Sequence, residues 1–353
     1  MAGARVRPAT DADRPAWDAF VAARAEADLL QSWAWGECAA LAGEPPVRLV
    51  AEGADGSVRG VAQLLVRSAG FGRSVAYAAH GPVWERDSAD GDQLLGAILD
   101  ALRDTARQQR SIVVKLDPRG GAVSDEASAQ LRRYGLRLGE DLQAPTTRIV
   151  DLLDGGDALM ASWHADARRL SRRAEREGVE VSVDRAADQQ AIHAFAELLR
   201  VTADRADFRA RNEDFLQLLA GQFADRDGWY LGIARFEGTP FAGMAMPRLG
   251  DRAYYLYGAS LRDAAYKHKY GPYAVMAALQ RTLAADGVRT LDMWGVVEPD
   301  DPAADPAWEG FSAFKRTFGG TSLRHPGLFD LVTDPFWYRL RELRQRLVSM
   351  GRR

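Results

Sequence analysis

The chain has 353 residues, 47% hydrophobic and 27% charged, with a formal net charge of −3. That length predicts two domains, each able to bury a core of its own, and the near-neutral charge excludes a protein that coats nucleic acid with its whole surface. One cysteine, Cys38, excludes an internal disulfide and a thiolate metal cluster.

Nowhere do eighteen apolar residues run together, so no segment is expected to span a bilayer. Residues 1–13 hold no apolar run of the kind a secretory signal needs, and a cytoplasmic setting is expected. Cys38 reads as a small buried side chain in a helix.

In chain order, residues 47–52 and 58–67 read as strands around the hairpin signal Gly-Ala-Asp-Gly at 53–56. Residues 94–106 form an amphipathic pattern at helical period, followed by a strand at 112–117. Asp-Gly-Gly-Asp at 154–157 reads as a joint. Beyond it, Arg168, Arg169, Arg172, Arg173 and Arg176 crowd into nine residues, with Asp166 and Glu175 as the nearby acids. At helical spacing Arg168, Arg172 and Arg176 share a face, which is either a solvated surface or a contact for phosphate; the shortage of acids favours phosphate. A second hairpin follows at 229–236 and 241–246, then a helix at 273–285 and a strand at 289–294. Both hairpins place a glycine early in the returning strand, Gly60 and Gly243.

Hairpin, further strand, helix and returning strand thus occur twice in the same order. The expected fold is α/β (α+β): two tandem GNAT-like acyltransferase domains with mixed sheets. The expected boundaries are 1–153 plus 320–353 for the first domain and 157–319 for the second, the strand at 328–332 and helix at 337–347 returning to the first. Such a fold does not fix function by itself.

Several familiar chemistries have no motif here. Gly-Lys never occurs, which removes a Walker loop, and Gly70-Phe-Gly72 reads as a turn because the third glycine of a dinucleotide fingerprint is missing. There is no Gly-x-Ser-x-Gly elbow, and the five histidines are scattered without metal-ligand spacing. Where a CoA-dependent enzyme of this fold cradles pyrophosphate on the amides opening a helix, this chain has His268-Lys-Tyr-Gly-Pro-Tyr273. Pro272 removes an amide donor and Tyr273 crowds the turn, so CoA is not the expected acyl donor.

Against 42 arginines the chain carries four lysines, one of them Lys315 between Phe314 and Phe318. A compact ammonium can hold a developing oxyanion or a phosphate as a point charge, which the broad guanidinium fork does less well. Taken with Gln31-Ser-Trp-Ala-Trp-Gly36, Tyr77-Ala-Ala-His-Gly-Pro-Val83, Arg168–Arg172 before Gly178, Thr202–Arg205 with Phe208 and Arg211, Tyr255–Ser260, Asp292–Gly295 and Phe318-Gly-Gly320, this makes the chain resemble the Fem family (FemABX) over nearly its whole length. That family comprises aminoacyl-tRNA-dependent aminoacyltransferases of peptidoglycan branching.

The resemblance implies a donor amino acid esterified to tRNA and an acceptor amine on the stem peptide of a peptidoglycan precursor, nucleotide-linked (UDP-MurNAc-peptide) or lipid-linked. It implies no cofactor, the aminoacyl-tRNA being a co-substrate, and association with the membrane surface if the acceptor is lipid-linked. It places Lys315 and Phe314 at the reacting ester, and Trp35, Tyr77, Arg211, Tyr255 and Tyr257 along the acceptor groove. The arginine-rich segment then offers Arg168, Arg172 and, from the neighbouring face, Arg173 to tRNA. Two departures bear on how a diphosphate is held: Gln31–Leu41 has no basic residue, and His80 stands where relatives carry arginine or lysine before Gly-Pro.

Each assignment has a structural alternative: a core aromatic for Phe314, core packing for Tyr255 and Tyr257 on one strand face, and a surface ion pair for Arg211. No general base stands out; Asp117 and Asp292 end equivalent strands and are candidates, though paired strand-end acids in a duplicated fold are more often structural. Beside the cell-wall reading stand a tRNA-dependent transferase acting on a peptide natural product, a CoA-dependent N-acyltransferase, and a binding protein without turnover. A monomer is the expected state.

Overall fold

The structure, a computed structural model, describes residues 5–120, 124–152, 155–206, 210–299 and 306–350. Phe208 of the motif set, and Leu153 and Asp154 of the expected joint, lie outside the described residues. The chain divides into two units, residues 1–145 with 324–353 and residues 146–323.

The first unit is built on an eight-stranded sheet. Its order is Arg5–Pro8, Pro46–Glu52, Val58–Gly70, Arg73–Ala78, Ser111–Leu116, Phe329–Val332 and Arg137–Leu138, with Val83–Trp84 off this path on the 58–70 strand. Neighbours are antiparallel except Arg73–Ala78 and Ser111–Leu116, which run parallel. The helix Gly91–Gln108 makes that crossover. It buries Leu94, Leu95, Ile98, Leu99, Leu102 and Ala106 on one face, spaced by three and four residues as a 3.6-residue period requires. These side chains meet Leu49, Leu64, Trp84, Val114 and Phe329 in the unit's core. At about 1.5–3 kcal/mol per large apolar side chain, this face is what holds the helix to the sheet. Gly60 is required by it, since a Cβ there would stand 2.7 Å from Ile98 Cδ1.

The second unit holds two sheets. One runs Tyr257–Ser260, Thr239–Ala245, Leu231–Phe236, Val179–Asp184; the other Arg248–Leu249, Arg252–Tyr254, Thr290–Gly295, Thr146–Asp151, Thr321–Arg324. The strand Thr146–Asp151 falls before the expected joint, yet it pairs antiparallel with Thr290–Gly295 and so belongs to this unit. The helix Gly271–Ala285 buries Val275, Met276, Leu279 and Leu283 against the sheet. Gly243 matches Gly60 in purpose: a Cβ there would meet Phe195 at 2.8 Å.

One expectation is corrected here. Tyr255 and Tyr257 do not share a strand face, because the strand breaks between them. Arg252–Tyr254 runs parallel to Thr290–Gly295. The Tyr255 amide then donates to the Asp292 carbonyl (2.8 Å) and the Leu256 amide to the Ala245 carbonyl (3.2 Å). From Tyr257 onward the chain pairs with Thr239–Ala245 instead. Period-2 alternation holds within one ladder and fails where a segment changes partners.

Candidate active site

The parting of those strands positions the candidate chemistry of the second unit. Past Asp292 the register slips before Gly295, and Trp294 adopts φ +62°, a left-handed conformation uncommon for a bulky residue. Asp292 holds this bulge: it is buried, and its Oδ1 accepts from the Trp294 amide at 2.7 Å and from the Thr147 hydroxyl. Bulges of this kind re-aim groups at functional sites. The group re-aimed here is the Gly295 carbonyl, which accepts from Lys315 Nζ at 2.7 Å.

Lys315 sits in the last turn of the helix Glu309–Arg316 and is only 7% exposed. The helix is pinned to the exit of the 290–295 strand. The Val297 amide donates to Ser312 Oγ at 3.0 Å, and Arg316 Nη1 donates to the Val297 carbonyl at 2.7 Å. The ammonium lies 4.9 Å from the Phe311 ring centre and 5.4 Å from that of Tyr255. Burial pulls its pKa down to about 7, against which the Asp292 charge acts. Tyr255 is half-buried, and burial pushes its phenol up from the ordinary value. Gly258 makes room for that phenol, since a Cβ there would lie 2.1 Å from its oxygen.

Phe314 faces away from this cluster. It packs on Tyr273 (5.1 Å between ring centres) and Phe318 (5.3 Å), and Phe318 packs on Trp163 (5.2 Å). It is thus part of the aromatic wall behind the lysine. Tyr257 is half-buried on its own strand, one position past the break. Arg211 is exposed just before the helix Glu213–Ala224, its guanidinium 4.6 Å from the Phe215 ring centre.

The arginine-rich segment forms the helix Ala165–Arg176 and splits three ways. Arg168 Nη1 caps the preceding helix, donating to the Ala161 carbonyl at 3.0 Å and to that of Trp163. Arg173 turns aside to Glu177 (2.6 Å) and Tyr270. Arg172 borders a cavity of about 320 Å³, with Arg168, Ser171 and Glu175 from its own helix and Arg281 from the helix Gly271–Ala285. Its floor is apolar: Met160, Trp163, Val179, Val181, Ala274 and Ala277. Arg281 was not legible in the sequence as a partner, because it lies more than a hundred residues downstream.

In the first unit the motif around Gln31 is mostly architecture. The Gln31 amide is fully buried; it donates to the Ala79 carbonyl at 2.8 Å and accepts from the Gln63 amide at 2.9 Å. Ser32 caps the helix Trp33–Leu41, and Arg48 stacks 3.9 Å over Trp33. Gly36 is required because Arg48 and Gln63 would each stand 2.2 Å from a Cβ. Trp35 is half-buried on the same helix. Tyr77 is buried, and its hydroxyl donates to Asp117 Oδ2 at 2.6 Å. Burial and the Asp117 charge push that phenol far above its ordinary value, and burial pushes the Asp117 carboxyl up. The His80 amide donates to Asp117 Oδ1 at 2.5 Å, its ring pairs with Asp28, and Asp28 also pairs with Arg119 at 2.6 Å.

Sequence reading missed two groups beside this network. Arg86 Nε and Nη2 are buried and find no hydrogen-bond acceptor, while its guanidinium lies 4.3 Å from the Trp84 ring centre. Both ring nitrogens of His325 are likewise buried without a partner, and burial pulls its pKa down to about 3. Nε and Nη2 form one edge of the guanidinium fork, the edge that grips two oxygens of one oxyanion. No local motif marks Arg86; its signal is an unsatisfied edge that only three dimensions reveal.

Known proteins share the fold of the chain. Residues 161–316 match the family model of the acetyltransferase (GNAT) domain. The lipid II:glycine glycyltransferase of Staphylococcus aureus is 23% identical to the chain, over 94% of each sequence. The crystal structure of FemX superposes with a TM-score of 0.82 at 21% identity, covering 95% of this chain and 99% of that one. A tandem GNAT protein of clavulanic acid biosynthesis superposes with a TM-score of 0.56 at 14% identity, covering 94% and 99%. Along nearly its whole length the chain is similar to the lipid II:glycine glycyltransferases and to FemX, and its fold is that of two GNAT-like units.

Proposed function

We propose that the chain is an aminoacyltransferase that moves an amino acid from aminoacyl-tRNA to an amine on the stem peptide of a peptidoglycan precursor. The observation that carries this reading is Lys315, a buried ammonium held by one carbonyl between two aromatic rings where the strands part. An ester is already activated, so aminolysis needs positioning and charge stabilisation more than a covalent intermediate. The acceptor amine attacks the ester carbonyl, the carbonyl oxygen takes the negative charge, and collapse breaks the ester C–O bond, the ribose oxygen leaving as a hydroxyl with the proton that the attacking amine gives up. In this reading protonated Lys315 stabilises that oxyanion, and a pKa of about 7 makes its charge sensitive to what binds beside it. A bound anion raises the protonated fraction as the reaction needs it.

The activity of the Staphylococcus aureus relatives, glycyl transfer on lipid II, supports a cell-wall acceptor. The start of the helix Gly271–Ala285 supports a donor other than CoA. Pro272 supplies no amide there, and Gly271 is pressed against Phe241, 2.4 Å from where a Cβ would be. The cavity bordered by Arg168, Arg172 and Arg281 takes tRNA phosphate in this reading, and the open edge of Arg86 takes an oxyanion of the acceptor.

The test is mass spectrometry of nucleotide-linked and lipid-linked precursors incubated with the protein and a pool of charged tRNAs. Gain of one amino-acid residue, abolished by ribonuclease and reduced in Lys315→Ala, is expected. No gain on any precursor from folded protein would sink the cell-wall acceptor.

A further inference from the structure

Two parts of the first unit put large apolar side chains into solvent side by side. Phe71 and Phe336 are the most exposed large hydrophobics among the described residues, at 86% and 70%. Trp337 joins them, its ring centre 5.9 Å from each. Leu340 and Leu343 extend the patch along the helix Pro335–Met350, following Phe336 at steps of four and three on one face.

Phe71 is the sharper anomaly. It sits at the tip between strands 58–70 and 73–78, between Gly70 and Gly72, with φ +53°. A left-handed bulky residue costs conformational energy, and here no burial within the protein offsets it. A hairpin tip of this kind ordinarily carries Asn or Gly. The patch is also basic although the whole chain is at −3. Arg339 and Arg344 are exposed on the helix, Arg341 is half-buried, and Glu342 is the acid among them. Arg73 lies against Trp337 and is paired with Asp334.

Aromatic and leucine side chains on one face with arginines beside them are the composition of a helix that lies in a lipid interface. We propose that the Phe71 tip and the Phe336–Leu343 face dock together on an anionic phospholipid surface, the rings entering the headgroup layer and the arginines meeting lipid phosphate. This stands apart from the transfer reaction, because it is read by binding alone; no helix of the described residues is long and apolar enough to cross a membrane.

The experiment is flotation of the full chain with vesicles of phosphatidylglycerol mixed equally with phosphatidylcholine, against vesicles of phosphatidylcholine alone. Binding to the anionic vesicles, weakened by high salt, is expected. Phe71→Ser with Phe336→Ser, and separately Arg339→Gln with Arg344→Gln, should each lower the bound fraction roughly tenfold. Leu138→Ser, which removes an exposed leucine on another strand, should leave binding unchanged. Phe71→Ser alone changes only a solvent-exposed tip and keeps the test valid if the double variant fails to fold. Equal binding to both vesicle types, no binding, or unchanged binding in either double variant would overturn the proposal. So would a concentration-dependent dimer that the Phe71 variant dissociates without any vesicle binding, which would assign the patch to a second copy.

Discussion

Two buried lysines, one in each unit, show how differently the two GNAT-like units use the same kind of charge. Lys115 lies in the strand Ser111–Leu116 at 5% exposure and donates to Asp330 at 2.8 Å; Asp330 also accepts from the Tyr338 hydroxyl at 2.8 Å. Lys315 is as buried, but its acceptor is a neutral carbonyl and the Asp292 carboxylate is spent on Thr147 and Trp294. The first lysine is neutralised and locks the returning strand Phe329–Val332 to the sheet. The second keeps a charge that a neutral carbonyl and the nearby Asp292 offset only in part, and burial disfavours it. A protein holds such a charge where it is needed, and in the proposed mechanism it is needed for the oxyanion.

Breaking the paired lysine should have the largest effect. Lys115→Met leaves Asp330 buried with one hydroxyl partner, and the first unit should lose about 3–5 kcal/mol of stability in urea unfolding. Equal stability of variant and wild type would mean that the pair contributes nothing to holding the strand. At the other lysine the loss should fall on rate. Lys315→Ala should cut transfer roughly 10²- to 10³-fold with the fold intact, as removal of an oxyanion donor does elsewhere. Lys315→Arg keeps a charge that does not titrate near neutrality, so it should remove the alkaline fall of kcat/KM near pH 7 whatever its residual rate. Persistence of that fall in the arginine variant would assign the titration to another group.

The same comparison reverses sign for stability. In the folded chain Lys315 has a pKa of about 7 against 10.5 ordinarily, so between those values the unfolded chain binds more protons. Stability from this group therefore rises with pH across that window, and the cost of holding the ammonium is fully present below pH 7. Lys315→Met should accordingly stabilise the second unit by about 1–3 kcal/mol at pH 7, with the advantage shrinking toward pH 10.5. Urea unfolding at several pH values reads this directly. A destabilised Met variant at pH 7 would show that the ammonium is better solvated than its surroundings indicate.

Much of this architecture was legible from period and punctuation. The helix 91–108 declares its apolar face in the sequence, and Gly60 and Gly243 mark in both units where a helix presses on a returning strand. Lys315 stood out because the chain otherwise uses arginine. What escaped the sequence were features made by non-local partners. The break between Tyr255 and Tyr257 arises because Asp292 and Ala245, on different strands, compete for successive amides. Nothing in 168–176 told Arg172 from Arg168 and Arg173, because their partners Trp163, Glu177, Tyr270 and Arg281 are set by packing. The open edge of Arg86 was invisible for the same reason: an unsatisfied donor is a property of surroundings.

The smallest effect expected separates two tyrosines that the sequence treats alike. Each stands near the end of a strand running parallel to its neighbour, Tyr77 against Ser111–Leu116 and Tyr255 against Thr290–Gly295. Tyr77 gives its hydroxyl to a buried carboxylate, so Tyr77→Phe should cost about 1–2 kcal/mol by leaving Asp117 with one fewer donor. The Tyr255 hydroxyl is pressed toward Gly258, with Lys315 over its ring. Tyr255→Phe removes the hydroxyl and keeps the ring, so stability should change by under about 0.5 kcal/mol. If that hydroxyl meets the acceptor, the variant should raise the acceptor KM while leaving kcat unchanged, the sign of binding shared by ground and transition states. Thermal unfolding of both variants, with acceptor kinetics of the second, decides it. A Tyr255 variant that loses stability and keeps its KM would make the two tyrosines alike, both parts of the frame.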